Sequence, residues 1–192
     1  MKEQIFRKYD IRGIFPDDLD RDTETRLREA FGSMAGMGGT LAVGRDCRLS
    51  GAALFDWIAS GAAATGCRIL DLGMQTTPMT YFAAHRLHPD VTVMITGSHN
   101  PPDYNGFKVM KGLHTLHGEE IARIRDLAAG AGGRGGTPLV ERVSILGDYL
   151  DRLRSEFCLD RALKVVVDAG NGTGGGVACS ILRDLGCRVL EM

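Results

Sequence analysis

The chain has 192 residues, of which 44% are hydrophobic and 24% charged, values that are ordinary for a globular protein. Its 23 lysines and arginines balance 24 aspartates and glutamates to a net charge of -1, and no basic block stands out. This balance argues against a nucleic-acid partner or an anionic membrane surface. The first residues lack the apolar core of a signal peptide, and no apolar run could span a bilayer, so we expect a cytoplasmic protein.

Neither the cysteines nor the histidines show the spacing of a metal site. The five cysteines stand alone, at Cys47, Cys67, Cys158, Cys179 and Cys187. We expect reduced thiols that mostly fill the core, with neither zinc nor a disulfide framework. The pairs His85/His88 and His114/His117 are three residues apart, but no cluster of carboxylates or cysteines accompanies them. We therefore expect these four histidines to be structural or at the surface.

The apolar pattern predicts helices and strands in alternation over the first 130 residues. Ser50 is expected to cap the second helix. The predicted helices span 22–34, 50–64, 78–87 and 118–129, and the predicted strands span 40–43, 67–72, 91–95 and 106–110. Strands separated by helices of this length indicate βαβ units and a mixed, largely parallel sheet between helices. A strand at 106–110, running antiparallel in a mixed sheet, would place Lys108 on regular backbone.

The remaining residues predict a second, smaller unit. A glycine-rich stretch at 130–138 indicates a flexible connection, and a helix at 145–157 is expected to join two domains. Residues 163–167, 175–185 and 187–190 then form one βαβ unit. An isolated βαβ unit buries too little surface to fold well. We therefore divide the chain into a domain at 1–150 and the start of an incomplete second domain at 151–192.

The most informative residues follow the buried strand at 91–95. Ser98, His99 and Asn100 stand just beyond its end, two prolines stiffen the backbone after them, and Lys108 comes ten residues after the serine. Ligands bind at strand ends in open α/β sheets, so chemistry is expected at this place. The alternative is a turn that is rich in serine, asparagine and proline for conformational reasons alone.

Residues 96–108 resemble the active-site signature of the α-D-phosphohexomutases, the phosphomannomutase/phosphoglucomutase family. Residues 6–13 resemble the N-terminal segment of that family, and residues 165–172 resemble the opening of its second domain. The three blocks occur in the order and spacing of the family. The resemblance therefore implies an α/β first domain of phosphohexomutase type, followed by an incomplete βαβ unit from a second similar domain.

The resemblance also implies a reaction and roles for residues. Hexose 1-phosphate and hexose 6-phosphate would interconvert through a phosphorylated Ser98 and a bisphosphorylated sugar, with glucose 1,6-bisphosphate or mannose 1,6-bisphosphate as activator. Mg²⁺ would be bound by the phosphate on Ser98 and by three aspartates of a loop that this chain lacks. The expected catalytic residues are Ser98, Lys108, His99 and Arg12. The expected substrate-binding residues are Tyr9, Arg12 and Asn100.

Each role has an ordinary structural alternative. Lys108 would act as general acid/base if a neighbouring cation lowered its pKa. The alternative is that Lys108 is an ordinary surface lysine in contact with solvent. Arg12 suits a phosphate, or it simply pairs with Asp10 or another carboxylate at the surface. Arg45 is expected to be structural. The family's sugar-selecting domain is absent, so the context only favours a dual phosphomannomutase/phosphoglucomutase over amino-sugar mutases.

Two other function classes remain open. Gly170, Gly172 and Gly175 satisfy the dinucleotide-binding pattern after a strand, and Glu191 stands where a ribose-binding acid belongs. A non-catalytic module that binds a phosphosugar or a partner chain is the other alternative. The 192-residue chain alone is expected to have no mutase activity. Its unit at 151–192 is expected to favour self-association.

Overall fold

The computed structural model describes residues 1–131 and 136–192. Within these ranges the chain forms nine strands and six α-helices, after a short 3-10 helix at Glu3–Ile5. In chain order, the elements are β1 (Ile11–Ile14), α1 (Arg21–Ala35), β2 (Thr40–Arg45), α2 (Gly51–Ala63), β3 (Arg68–Met74), α3 (Thr77–Leu87), β4 (Val91–Ile95), β5 (Tyr104–Lys111), β6 (His114–Thr115), α4 (Glu119–Ala129), β7 (Leu139–Arg142), α5 (Leu146–Glu156), β8 (Lys164–Val167), α6 (Gly175–Asp184) and β9 (Arg188–Glu191).

The larger sheet has the strand order β1-β5-β4-β2-β3-β7, with β6 beside β5. The strands β4, β2, β3 and β7 pair in parallel, whereas β5 is antiparallel to β4, β1 and β6. Only β5 therefore runs against the others among the strands described in this sheet. The predicted mixed, largely parallel sheet is confirmed, and so is the placement of Lys108 on a strand, where it lies opposite Met94 of β4.

Helices cover both faces of this sheet. In β2, Leu41 and Val43 belong to the core that packs beneath α1, α2 and α4, whereas Ala42 packs with residues of α3 on the other face. Successive side chains of a strand point to opposite faces, so a sheet covered on both sides needs continuously apolar strands. All five residues of β4 are buried for this reason. The end of β4 is therefore held firmly from both sides.

Local capping explains where two of the helices begin. The Asp20 carboxylate accepts a hydrogen bond from the Thr23 backbone N–H at 2.8 Å, at the start of α1. The Thr76 hydroxyl accepts from the Met79 backbone N–H at 3.4 Å, and a proline stands in the first turn of α3. These contacts satisfy backbone donors that have no partner within the helix.

The capping role expected of Ser50 is wrong, although the helix after it exists. Ser50 has helical backbone angles, and its side chain makes no capping bond. Its hydroxyl instead accepts a hydrogen bond from the side-chain amide of Asn105 at 2.8 Å. Asn105 is fully buried, so its amide needs a partner and takes this hydroxyl.

Three strands of the larger sheet, β1, β7 and the two-residue β6, have no counterpart in the sequence predictions. In β1, Arg12 and Gly13 interrupt the apolar pattern, although the strand is buried beside β5. In β7 all four residues are exposed, so no buried face marks the strand. The predicted glycine-rich connection at 130–138 precedes β7, and its residues 132–135 lie outside the described residues.

The helix α5 contacts both parts of the chain. The Tyr149 ring packs edge-on against Phe82 of α3, with ring centroids 5.4 Å apart. Further along, the Arg154 guanidinium pairs with the Asp184 carboxylate of α6 at 2.5 Å. The predicted joining helix at 145–157 is therefore present with nearly the predicted bounds. The division of the chain at residue 150 falls inside this helix and stays a prediction.

The strands β8 and β9 pair in parallel with α6 as their crossover, as predicted for one βαβ unit. Its sheet keeps large apolar side chains in solvent, since Val166 is 59% exposed and Leu190 is 62% exposed. The five cysteines are free thiols, and three of them are buried, as expected. No helix among the described residues is both long enough and apolar enough to cross a membrane.

Candidate active site

Ser98 lies in an exposed loop at the carboxyl end of β4, as the sequence predicts. Its backbone adopts a left-handed conformation with φ of 55°, which is uncommon for a residue other than glycine and costs about 1 kcal/mol or more. Its N–H donates to the Thr96 hydroxyl at 2.8 Å, and that hydroxyl donates to Asp46 at 2.6 Å. These bonds hold the serine in a conformation that points away from the core.

Arg48 is the residue that organises this loop, and sequence reasoning missed it. Its guanidinium donates to four backbone carbonyls of the loop at 2.5 to 3.0 Å, those of Ser98, Asn100, Pro101 and Tyr104. A planar guanidinium has five donors in a fixed fork, so one side chain can bind several acceptors together. Its position two residues after Asp46, just past the end of β2, is the only sequence signal that could have pointed to it.

The loop leaves no room for a side chain where Arg48 enters it. A Cβ atom at Gly97 would lie 2.4 Å from the Arg48 guanidinium carbon and 2.8 Å from the Tyr104 carbonyl oxygen. The Asp46 carboxylate, 3.4 Å from Arg48 Nε, balances the charge of the inserted group. Glycine before the serine is therefore required by close packing.

A second charged cluster lies beside the loop, on β1 and β5. Arg12 forms a short ion pair with Asp10 and donates to the side-chain oxygen of Asn100 at 2.8 Å. Lys108 Nζ lies 3.4 Å from the same Asp10 oxygen. The cluster exists because β5 lies between β1 and β4, which brings residues 10–12 and 108 to one end of the sheet. It thus joins Arg12, Asn100 and Lys108, three of the predicted site residues, through Asp10.

The two readings of Arg12 turn out to be compatible. The arginine does pair with Asp10, but the pair is buried rather than at the surface, since the two side chains are only 9% and 10% exposed. Arg12 Nε is also buried without a hydrogen-bond partner among the described residues. A buried donor without a partner is costly, so the Arg12–Asp10 pair is not fully satisfied by the described residues.

His99 and Tyr9 complete the set of predicted residues. His99 Nδ1 lies 3.4 Å from the Ser98 hydroxyl, so the histidine contacts the serine directly. Tyr9 is 60% exposed, and the Lys8 ammonium lies 5.2 Å from the centre of its ring. The structure thus places Ser98 in contact with His99, and Arg12 in contact with Asn100, while Lys108 is linked to Arg12 through Asp10. Tyr9 is largely in solvent, one residue before Asp10.

A cavity of about 550 Å³ opens in front of Ser98. The serine loop lines one side, and residues 170–173 of the βαβ unit line the other. The two sides touch where the Cys47 N–H donates to the Thr173 hydroxyl at 3.0 Å. Ser98 therefore faces a cleft between the two parts of the chain, which is a common position for a small-molecule site.

The dinucleotide alternative is weakened by this contact. The glycine pattern does follow β8 and precede α6, as it should. However, its Thr173 binds the first unit at the place where a pyrophosphate would lie. Glu191 pairs with Arg183 at 3.4 Å in solvent. Arg45 behaves as expected of a structural residue, pairing with Asp71 at 2.7 Å.

The residues around Ser98 do not form a complete Mg²⁺ site. Mg²⁺ requires several oxygen ligands in octahedral geometry. Among the described residues, the one group of three potential ligands within 4.8 Å of one another is His114, His117 and Glu120, which is not at the serine loop. The expected surface position of His114 and His117 is confirmed, and Glu120 is a carboxylate partner that the sequence analysis did not identify.

The fold and the site define an α/β protein with a serine loop at a strand end, and comparison with known proteins supplies the family. The family model described as "Phosphoglucomutase/phosphomannomutase, alpha/beta/alpha domain I" matches residues 3–131 of the chain. The chain therefore belongs to the phosphoglucomutase/phosphomannomutase family, and the resemblance seen in the sequence is confirmed.

Its relatives are curated enzymes and solved structures. The chain is 42% identical to a phosphomannomutase/phosphoglucomutase of Pseudomonas aeruginosa and 42% identical to a phosphoglucomutase of Neisseria meningitidis, each over 98% of the chain. A family protein from Burkholderia thailandensis aligns with the whole chain at a TM-score of 0.89 and 37% identity, over 44% of its own length. The chain spans about 41% of the length of the Pseudomonas relative and 42% of the Neisseria one.

Proposed function

We propose that the complete gene product is a phosphohexomutase that interconverts hexose 1-phosphate and hexose 6-phosphate, with Ser98 as the phosphate carrier. The observation that carries this proposal is the exposed Ser98 hydroxyl, held in a left-handed conformation in front of a cleft. The relatives that share this region are named phosphomannomutase/phosphoglucomutase and phosphoglucomutase, which supports a phosphosugar as the substrate.

The proposed reaction has two phosphoryl transfers. In the first, the bond between phosphorus and the Ser98 oxygen breaks while a sugar hydroxyl of the hexose monophosphate bonds to phosphorus. The hydroxyl proton passes to a base, and the serine oxygen is left to take up a proton. In the second, the other phosphate of the bisphosphorylated sugar returns to Ser98. We assign the proton transfers to Lys108, whose ammonium lies on β5 beside the serine loop.

The remaining residues are proposed to stabilise charge and orient the substrate. A phosphoserine carries about −1.5 to −2 charge, and phosphoryl transfer depends mainly on positioning and electrostatics. Arg12 and His99 offer donors, while Asn100 and the exposed Tyr9 are proposed to contact the sugar. Asp10 keeps Arg12 and Lys108 in place through its two ion pairs.

Mg²⁺ is proposed as the cofactor, and glucose 1,6-bisphosphate or mannose 1,6-bisphosphate as the activator. The phosphate on Ser98 would supply one oxygen ligand, and the described residues supply no carboxylate cluster to complete the site. The metal would neutralise the charge of the transferred group. A cytoplasmic location, the absence of a nucleic-acid partner and the inactivity of the 192-residue chain alone are further proposals.

Phosphopeptide mapping tests the role of Ser98. We expect the complete gene product, incubated with glucose 1,6-bisphosphate and Mg²⁺, to gain one phosphate on the peptide that contains Ser98. Ser98→Ala should abolish this labelling and lower turnover by several orders of magnitude, while the melting temperature stays nearly unchanged because the loop is exposed. Ser155→Ala is the matched control, since Ser155 is also exposed and bonds only its own helix.

The same experiment distinguishes the proposed mutase from a non-catalytic module that binds a phosphosugar. The incomplete metal site favours the module. Such a module would bind the bisphosphate without any phosphate on Ser98. Stoichiometric phosphate on another residue, with Ser98 unmodified, would contradict the proposed carrier.

A further inference from the structure

A cluster of His114, His117 and Glu120 lies on the surface, at the turn from β6 into α4. One Glu120 carboxylate oxygen lies 2.9 Å from His114 Nε2 and 3.4 Å from His117 Nδ1. Ligand atoms from all three side chains can be chosen within 4.8 Å of one another. We call these residues the His-His-Glu cluster. It is separate from the serine loop, and the proposed mutase reaction does not use it.

The backbone holds this cluster in shape before any ligand arrives. The His117 N–H donates to the Glu120 carboxylate at 3.2 Å, which fixes the side chain over the first turn of α4. Gly118, at φ of 54°, makes the sharp turn between them, and its N–H donates to the Lys8 carbonyl at 2.6 Å.

The distances fit a tetrahedral metal. Ligand atoms about 2.0–2.2 Å from a tetrahedral zinc ion lie roughly 3.3 Å from one another. The two distances observed at the shared carboxylate oxygen, 2.9 and 3.4 Å, lie on either side of this value. A metal could therefore enter by small rotations of the side chains, and both imidazole side chains are 57% exposed and accessible to it.

The donor set decides which metal is suitable. Two imidazoles and one carboxylate suit zinc and its neighbours, whereas Mg²⁺ prefers oxygen ligands alone. We propose that the His-His-Glu cluster binds one divalent transition-metal ion of the zinc class, with water in the remaining position. The ion would link β6 to the start of α4, and so fasten the end of the β5–β6 hairpin to the helix that covers it.

Calorimetric titration with Zn²⁺ tests this site. The chain should be stripped with a chelator and carry Cys47→Ser and Cys158→Ser, because these two exposed thiols could bind zinc themselves. We expect one Zn²⁺ per chain. His114→Ala and His117→Ala should each weaken binding at least tenfold, and Glu120→Gln should weaken it as well. His85→Ala, which removes an exposed histidine of the other pair, should leave the affinity unchanged.

Electron paramagnetic resonance with Cu²⁺ adds a readout of ligand identity. We expect coupling to two imidazole nitrogens in the parent chain and to one in His117→Ala. The absence of binding at millimolar Zn²⁺ would overturn the proposal. So would an unchanged affinity in the double variant His114→Ala/His117→Ala, provided that circular dichroism shows the variant to be folded.

Discussion

At the scale of single residues, Arg48 determines the shape of the serine loop. Its guanidinium donates hydrogen bonds to four carbonyls of the serine loop. The side chain is only 11% exposed and lies beside Asp46. Two of these hydrogen bonds are partly buried, where a carbonyl that loses its donor is expensive, so the loop conformation depends on this fork. The left-handed backbone of Ser98 persists because the surrounding contacts over-determine it.

Replacing Arg48 by lysine should loosen the loop. Lysine keeps the charge near Asp46, but its ammonium cannot reach carbonyls spread over seven residues. We expect Arg48→Lys to lower the free energy of unfolding by about 1–3 kcal/mol. The amide hydrogen exchange of residues 97–104 should accelerate by more than the exchange in the rest of the sheet. Both effects can be measured by urea denaturation and by exchange mass spectrometry.

Arg125→Lys provides the comparison, because Arg125 is partly exposed and pairs only with its neighbour Asp126. It should change neither the stability nor the exchange of the serine loop. Unchanged loop exchange in Arg48→Lys would show that the prolines and Thr96 hold the loop without the guanidinium.

At the scale of elements, pairing of β5 with both β1 and β4 builds the site. This arrangement places Arg12 near the serine loop, although 86 residues separate Arg12 from Ser98 in the chain. The helices that cover the sheet keep these strands in register, since a slip by one residue would turn every side chain to the other face. Interactions that fix the helices therefore support the site indirectly.

The cap of α1 gives a prediction at this scale. Asp20→Ala should lower the free energy of unfolding by about 1 kcal/mol at neutral pH, because the Thr23 N–H loses its acceptor. That hydrogen bond lowers the pKa of Asp20 below the usual 3.8. A lowered pKa in the folded state means that the stabilisation is present above about pH 4 and disappears as the pH falls through the folded-state value.

Denaturation at neutral and acidic pH measures this effect. The difference between the parent chain and Asp20→Ala should shrink as the pH drops. Asp17→Ala is the control, because only the backbone carbonyl of Asp17 accepts a hydrogen bond, from Lys2. An Asp20→Ala penalty that is independent of pH would contradict the capping role.

At the scale of the whole molecule, the βαβ unit meets the first unit along one edge only partly covered by apolar contacts. The Cys47 N–H donates to the Thr173 hydroxyl in an exposed hydrogen bond, and Val177 of α6 packs against the core beneath α3. Val166 and Leu190 remain largely in solvent. Apolar side chains exposed on a small sheet favour contact with another chain, so we propose self-association through this unit.

Removing residues 159–192 tests how the chain is divided. The helix α5 remains in this variant, and with it Ile145 and Tyr149, which pack with the core beneath α3. We expect cooperative thermal unfolding with nearly the same midpoint, and less self-association in sedimentation. In the parent chain, residues 164–191 should be the least protected in hydrogen exchange. Loss of cooperative unfolding on deletion would show that the βαβ unit belongs to the core of the first unit.

The sequence by itself determined most of the elements and the place of the serine loop after β4. Continuous apolar runs and helical spacing predicted β4, its flanking helices and the βαβ unit, because burial on both faces leaves a direct mark on composition. The block around Ser98 predicted the family. The strands β1, β6 and β7 were missed, since β1 contains Arg12 and a glycine and the other two have no buried face.

Only the tertiary structure decided which residues work together. The fork of Arg48 into the serine loop, the Asp10 bridge between Arg12 and Lys108, and the use of Ser50 by Asn105 all join residues that are distant in the sequence. Such partners depend on strand order and register, which a local pattern does not encode. The His-His-Glu cluster required the structure too, because the turn at Gly118 brings Glu120 back onto the two histidines.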